Sequence, residues 1–254
     1  MRLHTFVTAG LLTACGTTTP SDDPWDTDTT SGGQVDDTDT DTADTDATPA
    51  DTDDDTDAAC VPVEETCNGE DDDCDGRIDN APTAGSLIIT EWFPGNWDDV
   101  SDNNQWIEVH SLAEVDVLLC DDFGIEAIDH APDTPVSTVG RLAAPLKLEP
   151  GEYAALGRSE EVRVEPESTP TFYTMDAVYS LANIYRIDGE LRIVQGNTTL
   201  DSIRWDETNE SSMFQLGAST GVCPDAYSSA GTSDPSNWQS FYNSPTPGST
   251  NACD

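Results

Sequence analysis

The feature that most limits how this chain can fold is a long tract of alternating Asp and Thr residues. It runs from Thr17 to Ala59, contains no Lys or Arg, and offers only Trp25 and Val35 as large apolar side chains. Such a tract buries too little apolar surface to fold, and its carboxylates repel one another, so we predict an extended, disordered linker. A solvated spacer is its simplest role. O-glycosylation of its threonines and loose collection of calcium are alternatives that the sequence leaves open.

The amino terminus has the order of a short secretory signal peptide over residues 1–14, with an Arg, an apolar run and then small residues. Its end, Leu12–Cys15, resembles the bacterial lipobox, in which cleavage precedes the cysteine and the thiol carries diacylglycerol. The resemblance implies export, lipidation of Cys15 and a membrane anchor for a linker spanning residues 15–59. Because Gly16 rather than Asp follows the cysteine, it also implies the outer membrane or cell surface of a Gram-negative bacterium.

The cysteine count supports an oxidising compartment. The chain has seven cysteines, and lipidation of Cys15 leaves an even set of six. In an exported protein such a set is typical of up to three disulfides, although the sequence alone does not fix their pairing. The six are Cys60, Cys67, Cys74, Cys120, Cys223 and Cys253.

The charge excludes one class of partner. The formal net charge is −42, and a field of that sign repels phosphate backbones, so we expect no nucleic-acid partner. The same field attracts cations.

A second acidic segment, residues 60–83, differs from the linker because Cys, Gly, Ile and Asn replace the Asp–Thr alternation. Its carboxylates fall at alternate positions before a glycine, the pattern with which a tight loop offers hard oxygen ligands to calcium. The predicted metal ligands are Asp71, Asp73, Asp75, the Arg77 carbonyl and Asp79, and Gly76 permits the sharp turn. Pro82 stands at the twelfth position, where an EF-hand has a bidentate Glu.

Within that segment, Glu64–Asn80 resembles the Cys-Asn-Gly-x-Asp-Asp-Asp-Cys-Asp-Gly metal-binding motif of bacterial surface proteins. We predict calcium binding with a Kd of about 10⁻⁴ to 10⁻³ M, the range of extracellular modules. A Cys67–Cys74 disulfide would close a small loop and preorganise the ligands. The alternative is that these carboxylates merely continue the linker.

From Ser86 onward the chain consists of short β-rich runs separated by Gly, Pro, Asn and Asp. The clearest run, Gln105–His110, alternates apolar and polar residues as a half-buried strand does. The other predicted strands are Leu87–Trp92, Val115–Leu119, Phe123–Ile128, Leu142–Leu148, Glu152–Leu156, Leu191–Gln195, Thr199–Trp205 and Ser212–Leu216. So many short strands without a long helical pattern predict an all-β fold with two packed sheets.

The order of these runs resembles the lamin-tail domain family. The fragments that carry the resemblance are LIITEWFP, QWIEVHSLAEVDVLL, LKLEPGEYAALGR, YSLANIYRIDGELRIVQGNTTLDSIRW and SPTPGSTN. It covers residues 84–253 and implies an immunoglobulin-like β-sandwich for a domain spanning residues 84–254. Two segments, Asp129–Thr138 and Arg163–Asp176, look like insertions relative to the family.

Three of the cysteines lie outside the family pattern, namely Cys120, Cys223 and Cys253. They suit an exported version whose long terminal segment needs a covalent staple. A Cys223–Cys253 pair would supply that staple, and a Cys60–Cys120 pair would then tie the calcium segment to the sandwich.

Candidate catalytic residues are few, and we expect no enzyme. The mature histidines are His110 and His130, and neither a His-Glu-x-x-His pattern nor a phosphate loop occurs. Glu91 and Glu108 can lie side by side on adjacent strands, and we assign them a structural role. The tryptophans Trp92, Trp97, Trp106, Trp205 and Trp238 either pack in the core or line a sugar-binding face, and Trp97 is the best candidate for exposure.

These observations predict a surface-displayed, non-catalytic binding or structural module, with a cell-surface protein or a glycan as its ligand. Fold resemblance gives no chemistry by itself. Two alternatives remain at this point. One is a secreted hydrolase that uses the strand carboxylates, and the other is a cell-surface component that buffers calcium.

Overall fold

The computed structural model describes residues 60–95, 103–131, 135–164, 170–180, 183–184, 188–206, 218–241 and 245–253. The predicted signal peptide, Cys15, the acidic linker, Trp97 and the strand Ser212–Leu216 lie outside these residues. All described residues belong to one compact unit. None of the helices in this described part is both long enough and apolar enough to cross a membrane.

Short β-strands are the main regular structure of the described chain, as the alternating pattern predicts. The strands are β1 (Leu87–Phe93), β2 (Trp106–Ser111), β3 (Val117–Leu119), β4 (Phe123–Asp129), β5 (Val136–Arg141), β6 (Leu146–Leu148), β7 (Tyr153–Gly157), β8 (Glu161–Val164), β9 (Thr171–Thr174), β10 (Ala177–Val178), β11 (Gly189–Gln195), β12 (Thr198–Trp205), β13 (Ser219–Val222) and β14 (Trp238–Phe241). The helical elements are α1 (Ser229–Thr232) and the 3₁₀ turns Ile78–Asn80, Pro224–Ala226 and Pro235–Asn237.

These strands form two main sheets and two small ribbons. The six-stranded sheet has the order β10-β7-β2-β1-β13-β14, and the four-stranded sheet has the order β12-β11-β4-β5. The ribbons are β3-β6 and β8-β9. Neighbouring strands pair antiparallel except β10 and β7, which pair parallel. A bridge between Leu142 and Tyr179 joins the chain after β5 to the chain after β10.

The two main sheets bury one shared apolar core, so the predicted all-β sandwich is confirmed. From the six-stranded sheet the core receives Leu87, Ile89, Trp92, Ile107 and Val109, and from the four-stranded sheet Phe123, Ile125, Leu191, Ile193, Ile203 and Trp205. The Trp92 and Trp205 rings stack across it with their centroids 4.6 Å apart. Aromatic pairs of this kind add to the free energy gained from burial alone.

A second, smaller cluster lies beneath the β8-β9 ribbon. Phe93 and Trp106 pack there against Val162, Val164 and Met175. The second predicted insertion, Arg163–Asp176, therefore contains the end of β8 and all of β9, and it contributes to the core. The first, Asp129–Thr138, contains the start of β5, because that strand pairs with β4 from Val136 onward.

Candidate functional site

One disulfide closes the acidic segment on itself, and a second holds it against the sandwich. Cys60 pairs with Cys74, with Cα atoms 6.0 Å apart, and Cys67 pairs with Cys120, with Cα atoms 5.6 Å apart. The predicted Cys67–Cys74 and Cys60–Cys120 pairs are therefore wrong. The reason is a chain reversal: Val63 N donates to Asp72 O at 2.9 Å, which brings Cys60 back beside Cys74. Cys67 lies in the reversing loop and bonds to the residue that follows β3.

The third disulfide, Cys223–Cys253, is confirmed as predicted, with its Cα atoms 5.9 Å apart. It joins the end of β13 to the last described residue. All six predicted disulfide cysteines are thus paired.

Three carboxylates of the acidic segment converge. Glu65, Asp71 and Asp73 each place one oxygen within 4.8 Å of the other two, and all three side chains are half-buried. The spacing pattern predicted Asp71 and Asp73. Glu65 was missed because it precedes the Asp run and reaches the other two only through the chain reversal.

Backbone amides orient the three side chains. Asp71 accepts hydrogen bonds from Asp75 N at 3.1 Å and from Gly76 N at 2.9 Å, and Asp73 accepts one from Asp75 N at 3.1 Å. Glu65 Oε2 accepts from Asp72 N and Asp73 N, both at 3.1 Å. Gly76 has φ +90°, a backbone conformation that favours glycine. The loop therefore fixes these oxygens before any ion arrives.

The other predicted ligands lie outside this cluster of three. Asp75 Oδ1 accepts a hydrogen bond from Arg77 N at 2.8 Å. Asp79 Oδ1 accepts from Asn68 N at 2.9 Å and from Gly69 N at 2.8 Å. Both side chains therefore stabilise the loop, and a ligand role for Asp75, Asp79 or the Arg77 carbonyl stays a prediction.

Two buried oxygens beside the cluster have no hydrogen-bond partner among the described residues, namely Glu65 Oε1 and Asn80 Oδ1. Asn80 is only 5% exposed, and its Nδ2 donates to Asp73 Oδ2 at 3.1 Å. A buried acceptor without a donor is costly, and a cation removes that cost. A cavity of about 100 Å³ adjoins these groups, lined by Glu64, Glu65, Asp73, Asn80, Asp116, Val117, Leu118 and Lys147.

Lys147 connects this cavity to the sandwich. Its Nζ lies 2.9 Å from Asp116 Oδ2 and 3.7 Å from Glu64 Oε1, so it pairs with a carboxylate on each side of the junction. The hydrogen bond and charge of Asp116 raise the pKa of Lys147. The acidic segment is thus joined to the β3-β6 ribbon by an ion pair as well as by the Cys67–Cys120 disulfide.

The strand carboxylates also lie where the sequence predicts. Glu91 and Glu108 are directly opposed partners in the β1–β2 register. Both are fully buried, beneath backbone and side-chain donors of residues 246–249. They are therefore covered by the chain itself.

The sequence also contains a Gly-x-Ser-x-Gly pattern at residues 217–221, which the prediction overlooked. In hydrolases this serine stands exposed on a sharp turn between a strand and a helix. Here Ser219 begins strand β13, is fully buried, and forms a hydrogen bond through its hydroxyl with Glu91 Oε1. The geometry is that of a structural serine.

The histidines and tryptophans have structural contacts. His110 Nδ1 lies 3.2 Å from Glu152 O, and His130 Nε2 lies 2.9 Å from Glu190 Oε2. Four tryptophans are buried: Trp92, Trp106, Trp205 and Trp238. Core packing is therefore their role, and the predicted exposure of Trp97 concerns a residue outside the described part.

Comparison with known proteins gives no family. No protein-family model matches the chain, and no curated protein matches it significantly.

Proposed function

We propose that this chain is an exported lipoprotein that displays a calcium-stiffened, non-catalytic β-sandwich at the cell surface. The observation that carries the proposal is the convergence of Glu65, Asp71 and Asp73 in a disulfide-bonded loop. The lipobox-like end of the signal peptide supplies the anchor at Cys15, and the acidic linker holds the domain away from the membrane. The proposed ligand of the displayed domain is a cell-surface protein or a glycan.

Calcium is the ion that fits this donor set best. It takes six to eight oxygen ligands, which carboxylates, carbonyls and water supply. A metal that prefers thiolates is disfavoured because the nearby cysteines are in disulfides. Glu65 can supply the carboxylate that Pro82 does not provide at the twelfth position, and the free Oδ1 of Asn80 offers a further oxygen.

The proposed role of the ion is to stiffen the junction between linker and sandwich. Three converging carboxylates repel one another, and a divalent cation turns that repulsion into attraction. The same loop is bonded to β3 through Cys67–Cys120 and to the β3-β6 ribbon through Lys147. An ion in the loop would therefore hold the acidic segment more firmly against the sandwich.

A non-catalytic role is supported by the covered carboxylates and by the buried Ser219. For the sandwich itself, we propose the immunoglobulin-like arrangement of the lamin-tail family. Its support is the sequence resemblance over residues 84–253 together with the two main sheets, whose strands pair antiparallel apart from β10 and β7.

Calorimetric titration of the intact protein with calcium should show one site with a Kd of about 10⁻⁴ to 10⁻³ M. The variant Asp71→Asn/Asp73→Asn should bind at least about tenfold more weakly, because hard-cation affinity in such loops follows the number of charged ligands. Asparagine keeps an oxygen for the Asp75 and Gly76 amides, so the loop should still form.

The matched control is Glu161→Gln/Asp225→Asn, which removes the same charge from two exposed positions. It should bind like the wild type. Identical heats from all three proteins would contradict the site. Binding of many calcium ions per chain with low affinity, and with the same stoichiometry in both variants, would instead favour the calcium-buffering alternative.

The anchor is tested separately in the producing bacterium. Palmitate should label the wild-type protein, and globomycin should block its processing, because the lipobox cysteine must carry lipid before cleavage. Cys15→Ser should lose both the label and the membrane association. A Cys15→Ser protein that still partitions with membranes would contradict the anchor.

A further inference from the structure

The last part of the chain lies across the buried glutamates as a strap, which we define as Pro245–Asn251. Thr246 donates its backbone N–H and its hydroxyl to Glu91 Oε2, at 3.1 and 2.9 Å. The Gly248 and Ser249 amides donate to Glu108 Oε2, at 2.8 and 3.1 Å. Gly248 has φ +80°, which helps both amides point at one oxygen. The strap is thus held in its middle by two carboxyl groups.

The strap is fixed more firmly towards its end. Asn251 Nδ2 donates to Thr90 O at 2.9 Å and to Val222 O at 2.7 Å. The Cys223–Cys253 disulfide follows two residues later. Loss of the middle contacts would therefore lift residues 246–249 while the end stays tethered.

The second oxygen of each carboxyl contacts a hydroxyl group. Glu91 Oε1 meets Ser219 Oγ and also lies 3.4 Å from Thr246 N, which is closer to Oε2, and Glu108 Oε1 lies 2.6 Å from Thr90 Oγ1. A hydroxyl can accept as well as donate a hydrogen bond, whereas the strap amides only donate. A protonated carboxyl therefore fits both sides, with Oε1–H donating to the hydroxyl and Oε2 accepting from the strap.

Two ionised carboxylates at the positions of Glu91 and Glu108 would repel each other. Directly opposed residues of an antiparallel pair have Cβ atoms about 4.5–5.5 Å apart, and like charges at that spacing destabilise the sheet. Burial raises the pKa of Glu91 to about 7. Burial and the charge of Glu91 raise the pKa of Glu108 to about 8.

The titratable side chains around the pair add no positive charge near neutral pH. Tyr173 of β9 lies near Glu91, with its hydroxyl 3.5 Å from Pro245 O, and Tyr227 lies near Glu108. His110 stacks on Tyr153 at a centroid distance of 4.1 Å, and burial lowers the pKa of His110. A β-carbon at Gly248 would lie 3.7 Å from Asp176 Oδ2, so the remaining charged neighbour is acidic.

We propose that the strap is a pH-sensitive clasp, held closed while the Glu91–Glu108 pair keeps a proton and released when both carboxyls are ionised. Release uncovers two adjacent carboxylates on β1 and β2, so the open form presents an acidic surface that the closed form hides. This proposal is independent of the calcium site.

The direction of the pH dependence follows from the raised pKa values. The closed form binds more protons than the open form, so closure is favoured fully below the ordinary glutamate value of 4.5 and is lost as the pH rises through about 7 and 8. Burial also raises the pKa of Asp201, to about 6. That side chain accepts hydrogen bonds from Ile89 N and Thr232 Oγ1, so its protonation affects β1 and α1.

Hydrogen exchange of the intact protein, followed by NMR with a calcium chelator present, tests the clasp. After correction for intrinsic exchange rates, protection of the Gly248 and Ser249 amides should fall as the pH rises from about 5 to 8. The fall should be roughly tenfold per pH unit between pH 7 and 8, where opening releases one proton, and protection should level off above pH 8, where neither form holds a proton on the pair. Amides of the β4–β11 pair serve as the internal reference. In Glu91→Gln/Glu108→Gln, whose side chains mimic the neutral acids, strap protection should stay constant from pH 5 to 9.

Glu161→Gln, at an exposed position of β8, is the control and should follow the wild type. Strap protection that is constant in the wild type over this range would overturn the proposal. A pH dependence retained by the double glutamine variant would overturn it as well. The wild-type titration requires no variant, so a folding defect in the glutamine protein leaves the test intact.

Discussion

Trp205→Ala should lower the free energy of unfolding by about 3–5 kcal/mol, the usual cost of removing a fully buried tryptophan. Trp205 is 1% exposed and stacks on Trp92 at the centre of the shared core. Its ring also lies against Gly189, where a β-carbon would come within 2.5 Å of Trp205 Cζ2. The surrounding strands are therefore shaped to this ring and cannot easily fill the space it leaves. Urea denaturation of the intact protein, followed by circular dichroism, measures the change.

The matched control is Phe172→Ala, which removes another aromatic ring from a position that is 56% exposed. It should cost less than about 1 kcal/mol, because much of that ring already contacts water. A Trp205→Ala protein as stable as Phe172→Ala would mean that the two sheets do not share the core described here.

Cys67→Ser/Cys120→Ser should cost about 4 kcal/mol of stability, because this disulfide closes a loop with a sequence separation of 53 residues. Cys60→Ser/Cys74→Ser, with a separation of 14 residues, should cost about 3 kcal/mol on the same entropic argument. The first change should also free the acidic segment from β3. Thermal and urea unfolding of both double variants would measure the difference.

The pairing itself can be read by peptide mapping. Cleavage after Glu64 and Glu65 separates Cys60 from Cys67, and cleavage before the aspartates at 71–73 separates Cys67 from Cys74. Mass spectrometry of the unreduced digest should then show a Cys60 peptide linked to a Cys74 peptide. A Cys67–Cys74 linkage would contradict the arrangement.

The sequence predicted those strands whose burial follows a regular alternation or a continuous apolar run. The predicted Phe123–Ile128 and Thr199–Trp205 differ from β4 and β12 by one residue each. Strand β5 was missed because it lies at a sheet edge and most of its side chains are exposed. Strand β13 was missed because its sequence, STGV, is mostly polar and small although all four residues are buried.

For the candidate metal loop, the sequence predicted only the ligands that lie close together in the chain. Asp71 and Asp73 belong to one short run, whereas Glu65 joins them through the reversal that also decides the Cys60–Cys74 pair. No local pattern encodes that reversal. For the same reason the pairing of three cysteines close in sequence could not be derived from their positions.

The contacts of the strap likewise could not be predicted from local sequence, because they join residues far apart in the chain. Its Thr-Pro-Gly-Ser-Thr-Asn sequence is visible in the chain, but its contacts with Glu91 and Glu108 join residues 155 and 140 positions apart. The sequence predicted two adjacent carboxylates. Their burial by the chain terminus is a tertiary property.

The most direct test of the central claim is anomalous X-ray diffraction from crystals grown in about 10 mM calcium, tenfold above the weakest affinity expected. We expect one anomalous peak in the acidic segment, about 2.3–2.6 Å from oxygens of Glu65, Asp71 and Asp73. An empty loop at that concentration, or an ion held by Asp75 and Asp79 without Glu65, would contradict the account.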